Sequence, residues 1–289
     1  MRTLLVGDIH LNERYIEEID SIFEKDIFPI TADRLIQLGD FFDRNSPSPL
    51  EEKYGSELIL KMKQHYKEVI ILAGNGEHEY IRGTGIVEHL QSLGIKIIKG
   101  DLIEDKILYG HWMVAESRLS FGQFKYKKSE LSKYETVFLG HQHTFQIIAP
   151  NIIHLGSIRY VTFNEVGIPK SIVSLEDGKP EYIPLKNTID MVDVTNVSQL
   201  EHINPNTKVR VIFNSFEDYK KNASYVNKIG RKFFLFKIKM NFEQSKIIDM
   251  GSKKLDGIIN KSNIIKDYIE KIEDKDVRQM LEQQFKENI

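Results

Sequence analysis

Five short segments hold the side chains best suited to chemistry: Asp8-Ile9-His10, Gly39-Asp40-Phe41-Phe42-Asp43-Arg44, Gly74-Asn75-Gly76-Glu77-His78-Glu79, Gly110-His111 and Gly140-His141-Gln142-His143. Each follows an apolar run with the character of a strand, and strand ends are where an α/β sheet presents its functional groups. Carboxylate, imidazole and amide ligands together suit a pair of divalent cations. The chain has no cysteine, so no thiolate can contribute. Two such ions roughly 3.5–4 Å apart can neutralise a phosphoryl group, generate a nucleophile near neutral pH and stabilise a leaving oxygen. One carboxylate shared between them is natural, because it is anionic and has two oxygens. A nitrogen-and-oxygen donor set suits manganese, iron or zinc better than magnesium or calcium.

The elements that must position these residues follow from periodicity. Thr3–Val6, Leu35–Leu38 and Val69–Leu72 read as buried strands separated by helix-length segments. Asn12 is placed to cap a helix with the stripe Tyr15, Ile16, Ile19, Ile22 and Phe23. After Ile107 the runs shorten: 107–109, 136–139, 145–148, 152–155, 171–175 and 182–185 predict a second sheet packed on the first. Asp177-Gly178 is a hairpin turn within it. The segment 187–207 reads as a polar boundary. Beyond it come a strand at 209–213, a helix at 217–228 and a strand at 233–240, then amphipathic helical spacing from Leu255 to Phe285. Between Lys208 and Lys254 there are 12 Lys and Arg against 4 Asp and Glu, although the whole chain carries −2. A basic small domain beside an acidic, metal-holding body suits a phosphodiester polymer, or is merely a solvated face. The expected location is cytoplasmic, since no leader peptide or membrane-length apolar run is visible.

The order of the five segments resembles the calcineurin-like metallophosphoesterase superfamily over the first two-thirds of the chain. The resemblance implies an α/β fold: a two-sheet sandwich flanked by helices, followed by a small α/β capping domain and C-terminal helices. It implies that Asp8, His10 and His143 hold one metal, that Asn75, His111 and His141 hold the other, and that Asp40 bridges them. His78 resembles the family's general acid, and the attacking group would be a metal-activated water. The family usually places Asn and His side by side, whereas Gly76 and Glu77 separate them here. Asp43 and Arg44 either orient the catalytic histidine or touch phosphate, or else form a structural ion pair. His65, His89, His154 and His202 read as surface or structural.

Three further stretches, GDFFDRNSPSP (39–49), IHLGSIRYVTFNE (153–165) and EDGKPEYIPL (176–185), resemble SbcD-type DNA-repair nuclease subunits. That likeness carries Arg159 over, with Arg44, as substrate-binding. It implies a manganese-dependent exonuclease and endonuclease with a nuclease domain over 1–186, a DNA-binding cap over 187–245 and a partner-binding helical segment over 246–289. The implied partners are DNA, an SbcC-type SMC-like ATPase and a second copy of the chain. A stand-alone phosphatase or nucleotide phosphodiesterase is the first alternative, and a non-catalytic scaffold is the second.

Overall fold

The computed structural model describes residues 1–74, 80–81, 84–115 and 124–241. Two compact units are distinguished. The first holds 1–212 with 222–239, and the second holds 213–221 with 240–289. The predicted helices beyond Leu255 lie outside the described residues.

In chain order the elements of the first sheet's parallel core are β1 (Arg2–Val6), α1 (Ile16–Ile22), β2 (Arg34–Gln37), α2 (Pro49–His65) and β3 (Glu68–Leu72). A short hairpin follows, β4 (Tyr80–Ile81) and β5 (Thr84–Gly85), before β6 (Lys96–Ile98). The second half holds β7 (Leu102–Glu104), β8 (Ile107–Gly110), the small pair β9 (Met113–Val114) and β10 (Phe124–Tyr126), β11 (Thr136–Leu139), β12 (Gln146–Ala149) and β13 (Ile152–His154). It continues with β14 (Ser171–Glu176) and β15 (Lys179–Pro184), then β16 (Met191–Val194), β17 (Lys208–Phe213), α3 (Phe216–Ile229) and β18 (Leu235–Met240).

The first sheet has the order β15-β14-β1-β2-β3-β6, and β1, β2, β3 and β6 run parallel. The second has the order β12-β13-β11-β8-β7, with β8, β11 and β13 parallel. A third sheet has the order β16-β17-β18.

Strict alternation along the parallel strands explains the layering. Leu4, Val6, Leu35, Val69 and Ile71 face α1 and α2 and pack with Ile19, Ile22, Leu58, Ile59 and Met62. Their neighbours Leu5, Ile36, Ile70 and Leu72 face the other way and meet Tyr109, Phe138 and Ile153 of the second sheet. Strands buried on both faces read as apolar runs, which is why β1 and β3 were visible in the sequence, and β2 through Leu35 and Ile36 between the buried Arg34 and Gln37. α2 begins at a capping box in which the Ser48 hydroxyl accepts from Glu51 N, while the Glu51 carboxylate accepts from Ser48 N at 2.7 Å.

Three expectations change. The hairpin β14–β15 belongs to the first sheet, with β14 antiparallel to β1, rather than to the second. Alternation marks a strand but does not name its neighbour. The polar segment 187–207 contains β16, which pairs in parallel with β17 and buries Met191 and Val194. Asn12 caps a 3-10 turn, Glu13–Tyr15, before α1 starts. Among the described residues no helix is long and apolar enough to cross a membrane.

Candidate metal centre

The carboxyl ends of β1, β2, β8 and β11 converge, and the loop after each delivers one or more of the predicted side chains. Asp8 and His10 follow β1, Asp40 follows β2, His111 follows β8, and His141 and His143 follow β11. β3 points the same way and leads into Gly74. Asn75 and His78, beyond it, lie outside the described residues.

The loops fold tightly. His10, Asp40 and His141 have φ of 49°, 49° and 73°, a left-handed backbone that costs a non-glycine residue of order 1–3 kcal/mol. Hydrogen bonds hold these turns: Ile9 N and His10 N both donate to the Asp40 carbonyl, at 3.2 and 3.0 Å. Gly140 is needed for close approach, because a Cβ there would collide with the Leu38 carbonyl and lie 2.7 Å from Asp8 Oδ1. A Cβ on Gly74 would strike Asp40.

Two groups result. In one, ligand atoms of Asp8, His10 and His143 lie within 4.8 Å of one another, and in the other those of Asp40, His111 and His141 do. His10 Nε2 and His143 Nε2 are 2.8 Å apart. Asp40 Oδ2 is 3.2 Å from His111 Nε2 and 3.9 Å from His10 Nε2, so it stands between the groups. The His141 amide donates to Asp8 Oδ1 at 3.1 Å.

These residues fit a cation. Asp8 Oδ2 is buried with no hydrogen-bond partner among the described residues, yet lies 3.9 Å from both His10 Nε2 and His143 Nε2. An unmet buried acceptor costs about 1–3 kcal/mol, and more when charged. A positive ion between these atoms removes that cost. The protonation pattern agrees. Burial pushes the pKa of His10 down, and burial with the nearby His111 does the same to His141. Burial also opposes charge on His111, but Asp40, Asp8 and the Leu38 carbonyl outweigh it and push its pKa up to about 10.

The outer nitrogens of three ligands are anchored. His111 Nδ1 lies 2.6 Å from the Leu38 carbonyl, His10 Nδ1 3.4 Å from Asp43 Oδ1, and His143 Nδ1 3.5 Å from Glu165 Oε1. Carboxylate–histidine pairs of this kind fix ring orientation and direct Nε2 at a metal. Asp43 therefore bears on His10, and it also accepts from Asn12 Nδ2 at 3.1 Å. Arg44 pairs with the fully buried Glu51 at 3.0 Å, the ion-pair alternative. Arg159 corrects the expectation of a substrate contact. Only 1% exposed, its guanidinium binds the Ile9 and His10 carbonyls and is closed off from a ligand.

Sequence reasoning missed two residues, Glu165 and Lys170. Glu165 stood in a recognised stretch without a role, and here it accepts from Lys170 Nζ at 2.6 Å, Ser157 Oγ at 3.2 Å and Thr162 Oγ1 at 2.8 Å. Burial opposes its charge, but His143 and Lys170 hold its carboxyl well below the usual range. Lys170 also reaches the His143 carbonyl at 2.9 Å. His154, read as structural, is fully buried at the end of β13 with Nδ1 3.1 Å from the Gly140 carbonyl. Burial pushes its pKa down to about 4, so the ring is neutral and its Nδ1–H braces the turn that carries His141.

Beside the centre, His141, Gln142, His143, Thr144, Thr162 and Asn164 line a depression of about 190 Å³.

Among solved structures, the chain is similar to YfcE, a phosphoesterase from E. coli. The identity is 17% over 64% of this chain and 100% of that one, with a TM-score of 0.35. It is also similar to the nuclease MPE of Pseudomonas putida, at 16% identity over 63% of this chain and 87% of that one, with a TM-score of 0.34. At such scores neither likeness speaks to activity. No match was found among curated protein sequences. The model of calcineurin-like phosphoesterases matches residues 1–164, more than half of the chain and every strand end described above. With the ligand groups that those strand ends assemble, this places the chain in the calcineurin-like phosphoesterase family of metal-dependent hydrolases.

Proposed function

We propose that the chain is a manganese-dependent DNA nuclease, cleaving phosphodiester bonds as the SbcD-type subunit of a repair and recombination complex. The observation that carries the proposal is the pair of ligand groups that meet at Asp40. Asp8, His10 and His143 would hold one ion, and His111 and His141, with Asn75 from outside the described residues, the other. Asp40 would serve both. When bound, two such ions supply charge neutralisation for the phosphoryl group and a nucleophile at neutral pH. Asp43 and Glu165 keep His10 and His143 aimed at the centre, and the buried Lys170 neutralises Glu165. The donor set, imidazole and carboxylate without thiolate, supports manganese.

DNA is supported by charge. Arg231, Lys232, Lys237 and Lys239 are exposed on and just before β18, within the basic stretch 208–254. A polyanion is the ligand such a surface attracts. The apolar stripe from Leu255 to Phe285 in the sequence supports docking of an SMC-like ATPase, and a dimer of this chain belongs to the same reading.

The test is nucleotide release from duplex and single-stranded DNA by the purified chain with manganese. Wild type is compared with Asp8→Ala, Asp40→Ala and a truncation before Leu255. Wild type should degrade DNA, both alanine variants should lose at least 10²-fold in rate, and the truncation should keep activity but lose the ATPase. Equal activity in all four would remove the proposal. Turnover restricted to small phosphoesters, indifferent to DNA, would favour the stand-alone phosphodiesterase.

A further inference from the structure

Four buried or half-buried side chains that touch no substrate connect the third sheet to the first metal-ligand group. Arg159 donates through Nη2 to the His10 carbonyl at 2.6 Å and through Nε to the Ile9 carbonyl at 3.2 Å. Its guanidinium carbon lies 4.0 Å from the centroid of the Tyr15 ring. Lys208 Nζ lies over the same ring at 5.0 Å. That ammonium, fully buried at the start of β17, donates to both Glu18 oxygens, at 3.0 and 2.8 Å, and to the Tyr160 carbonyl at 2.9 Å. Glu18, on α1, also accepts from the Ile189 amide at 2.9 Å, just before β16.

The arrangement is a poor choice if only stability is at stake. Buried charges are costly to desolvate, and an apolar cluster of the same volume holds elements together at least as well. What charge adds is direction. His10 sits at φ 49°, and its amide is tied to the Asp40 carbonyl. Arg159 ties down the two carbonyls on the other side, so the peptide cannot rotate and the imidazole stays beside Asp8 and His143. Arg159 is itself held by the Tyr15 plate, whose position depends on α1 and so on Glu18 and Lys208.

We propose that Arg159, Tyr15, Glu18 and Lys208 form a positioning stack that fixes the His10 backbone, so that metal binding by the Asp8–His10–His143 group depends on how β17 is seated. This rests on the metal-centre reading above. None of the four touches the reacting atoms.

The experiment uses the full chain. Mn2+ binding is measured by calorimetry, kcat and KM are measured on bis-p-nitrophenyl phosphate, and thermal unfolding is followed without metal. The variants are Arg159→Lys, Lys208→Met, Lys208→Arg and Tyr15→Leu. Arg159→Lys and Lys208→Met should each weaken one Mn2+ site by about tenfold. They should lower kcat to match while KM stays within twofold, and Lys208→Arg should recover most of the loss. A fall in melting temperature with Mn2+ affinity and kcat unchanged would overturn the proposal, leaving the stack as packing alone. If Lys208→Met does not fold, Tyr15→Leu at a half-buried position decides: weakened Mn2+ binding supports the stack, and wild-type binding overturns it. A wild-type chain that takes up no Mn2+ would overturn the metal-centre reading as well.

Discussion

His111 sets the terms on which a metal can bind. Its ring is buried, which disfavours charge, yet Asp40 at 3.2 Å and Asp8 nearby push its pKa up to about 10. The unfolded value is near 6.5, so between about 6.5 and 10 the folded metal-free chain binds more protons than the unfolded one. That contribution to stability is complete below about 6.5 and is lost as pH rises towards 10. Metal binding runs the opposite way, because the ligand must be deprotonated. Mn2+ affinity should therefore rise by up to about tenfold per pH unit across this window, with close to one proton released. Calorimetry at pH 7 and 8.5, in buffers of different ionisation enthalpy, counts that proton, and zero release would contradict the assignment. Asp43→Asn and Glu165→Gln should each weaken Mn2+ by about 10–100-fold in the same titration, since each leaves a ligand ring unaligned. The six residues that gather in two groups, Asp8, His10, His143, Asp40, His111 and His141, were legible in the sequence because each lies in a short loop after an apolar run. Glu165 and Lys170 were not, because their roles arise only when the loop after β13 folds back towards β11. Arg159 was misread for a related reason: an arginine in a functional stretch suggests a phosphate, and only burial shows that it serves two carbonyls.

At the scale of elements, β1 and β3 were legible because burial on both faces leaves them mostly apolar, while the start of α2 is fixed by the capping box of Ser48 and Glu51 with Pro49 between them. Sheet membership was not legible. Ser171–Glu176 reads as a buried strand, with Ile172 to Leu175 all buried, and its place beside β1 follows from the path of the chain, not from its composition. The turns at strand ends are the elements on which function depends most. Gly140→Ala must displace either the Leu38 carbonyl or Asp8, since the added carbon would overlap the first and crowd the second. It should cost about 1–3 kcal/mol of stability as overpacking and abolish Mn2+ binding with it. Ser48→Ala is the control at the other kind of element end. It removes the cap of α2, where the Glu51 amide would lose its acceptor, and should cost about 1 kcal/mol while leaving Mn2+ affinity as in wild type. Urea denaturation with parallel metal titration separates the two, and equal losses of metal binding would show that the site responds to general destabilisation.

Across the molecule, charge is distributed against the average. The chain as a whole carries −2, yet residues 208–254 hold 12 basic and 4 acidic side chains. Several basic groups are already committed: Arg210 binds Asp193 at 2.6 Å, and Lys208 is buried on Glu18. They cannot also neutralise a phosphate without breaking a pair. Arg231, Lys232, Lys237 and Lys239 are exposed, so they are among the groups through which a polyanion would be gripped. Each phosphate contact releases condensed counterion and contributes about 0.9 to the slope of log affinity against log salt. Replacing all four with Gln should therefore flatten the slope for duplex DNA by about 3–4. Turnover of bis-p-nitrophenyl phosphate should stay unchanged, because no charge near Asp40 is altered. Fluorescence anisotropy from 50 to 200 mM salt reads the slope. If the quadruple variant keeps the wild-type slope, these four side chains are a solvated face and DNA is not held through them. If small-ester turnover falls as well, those side chains act on the centre itself, and grip and chemistry are not separate.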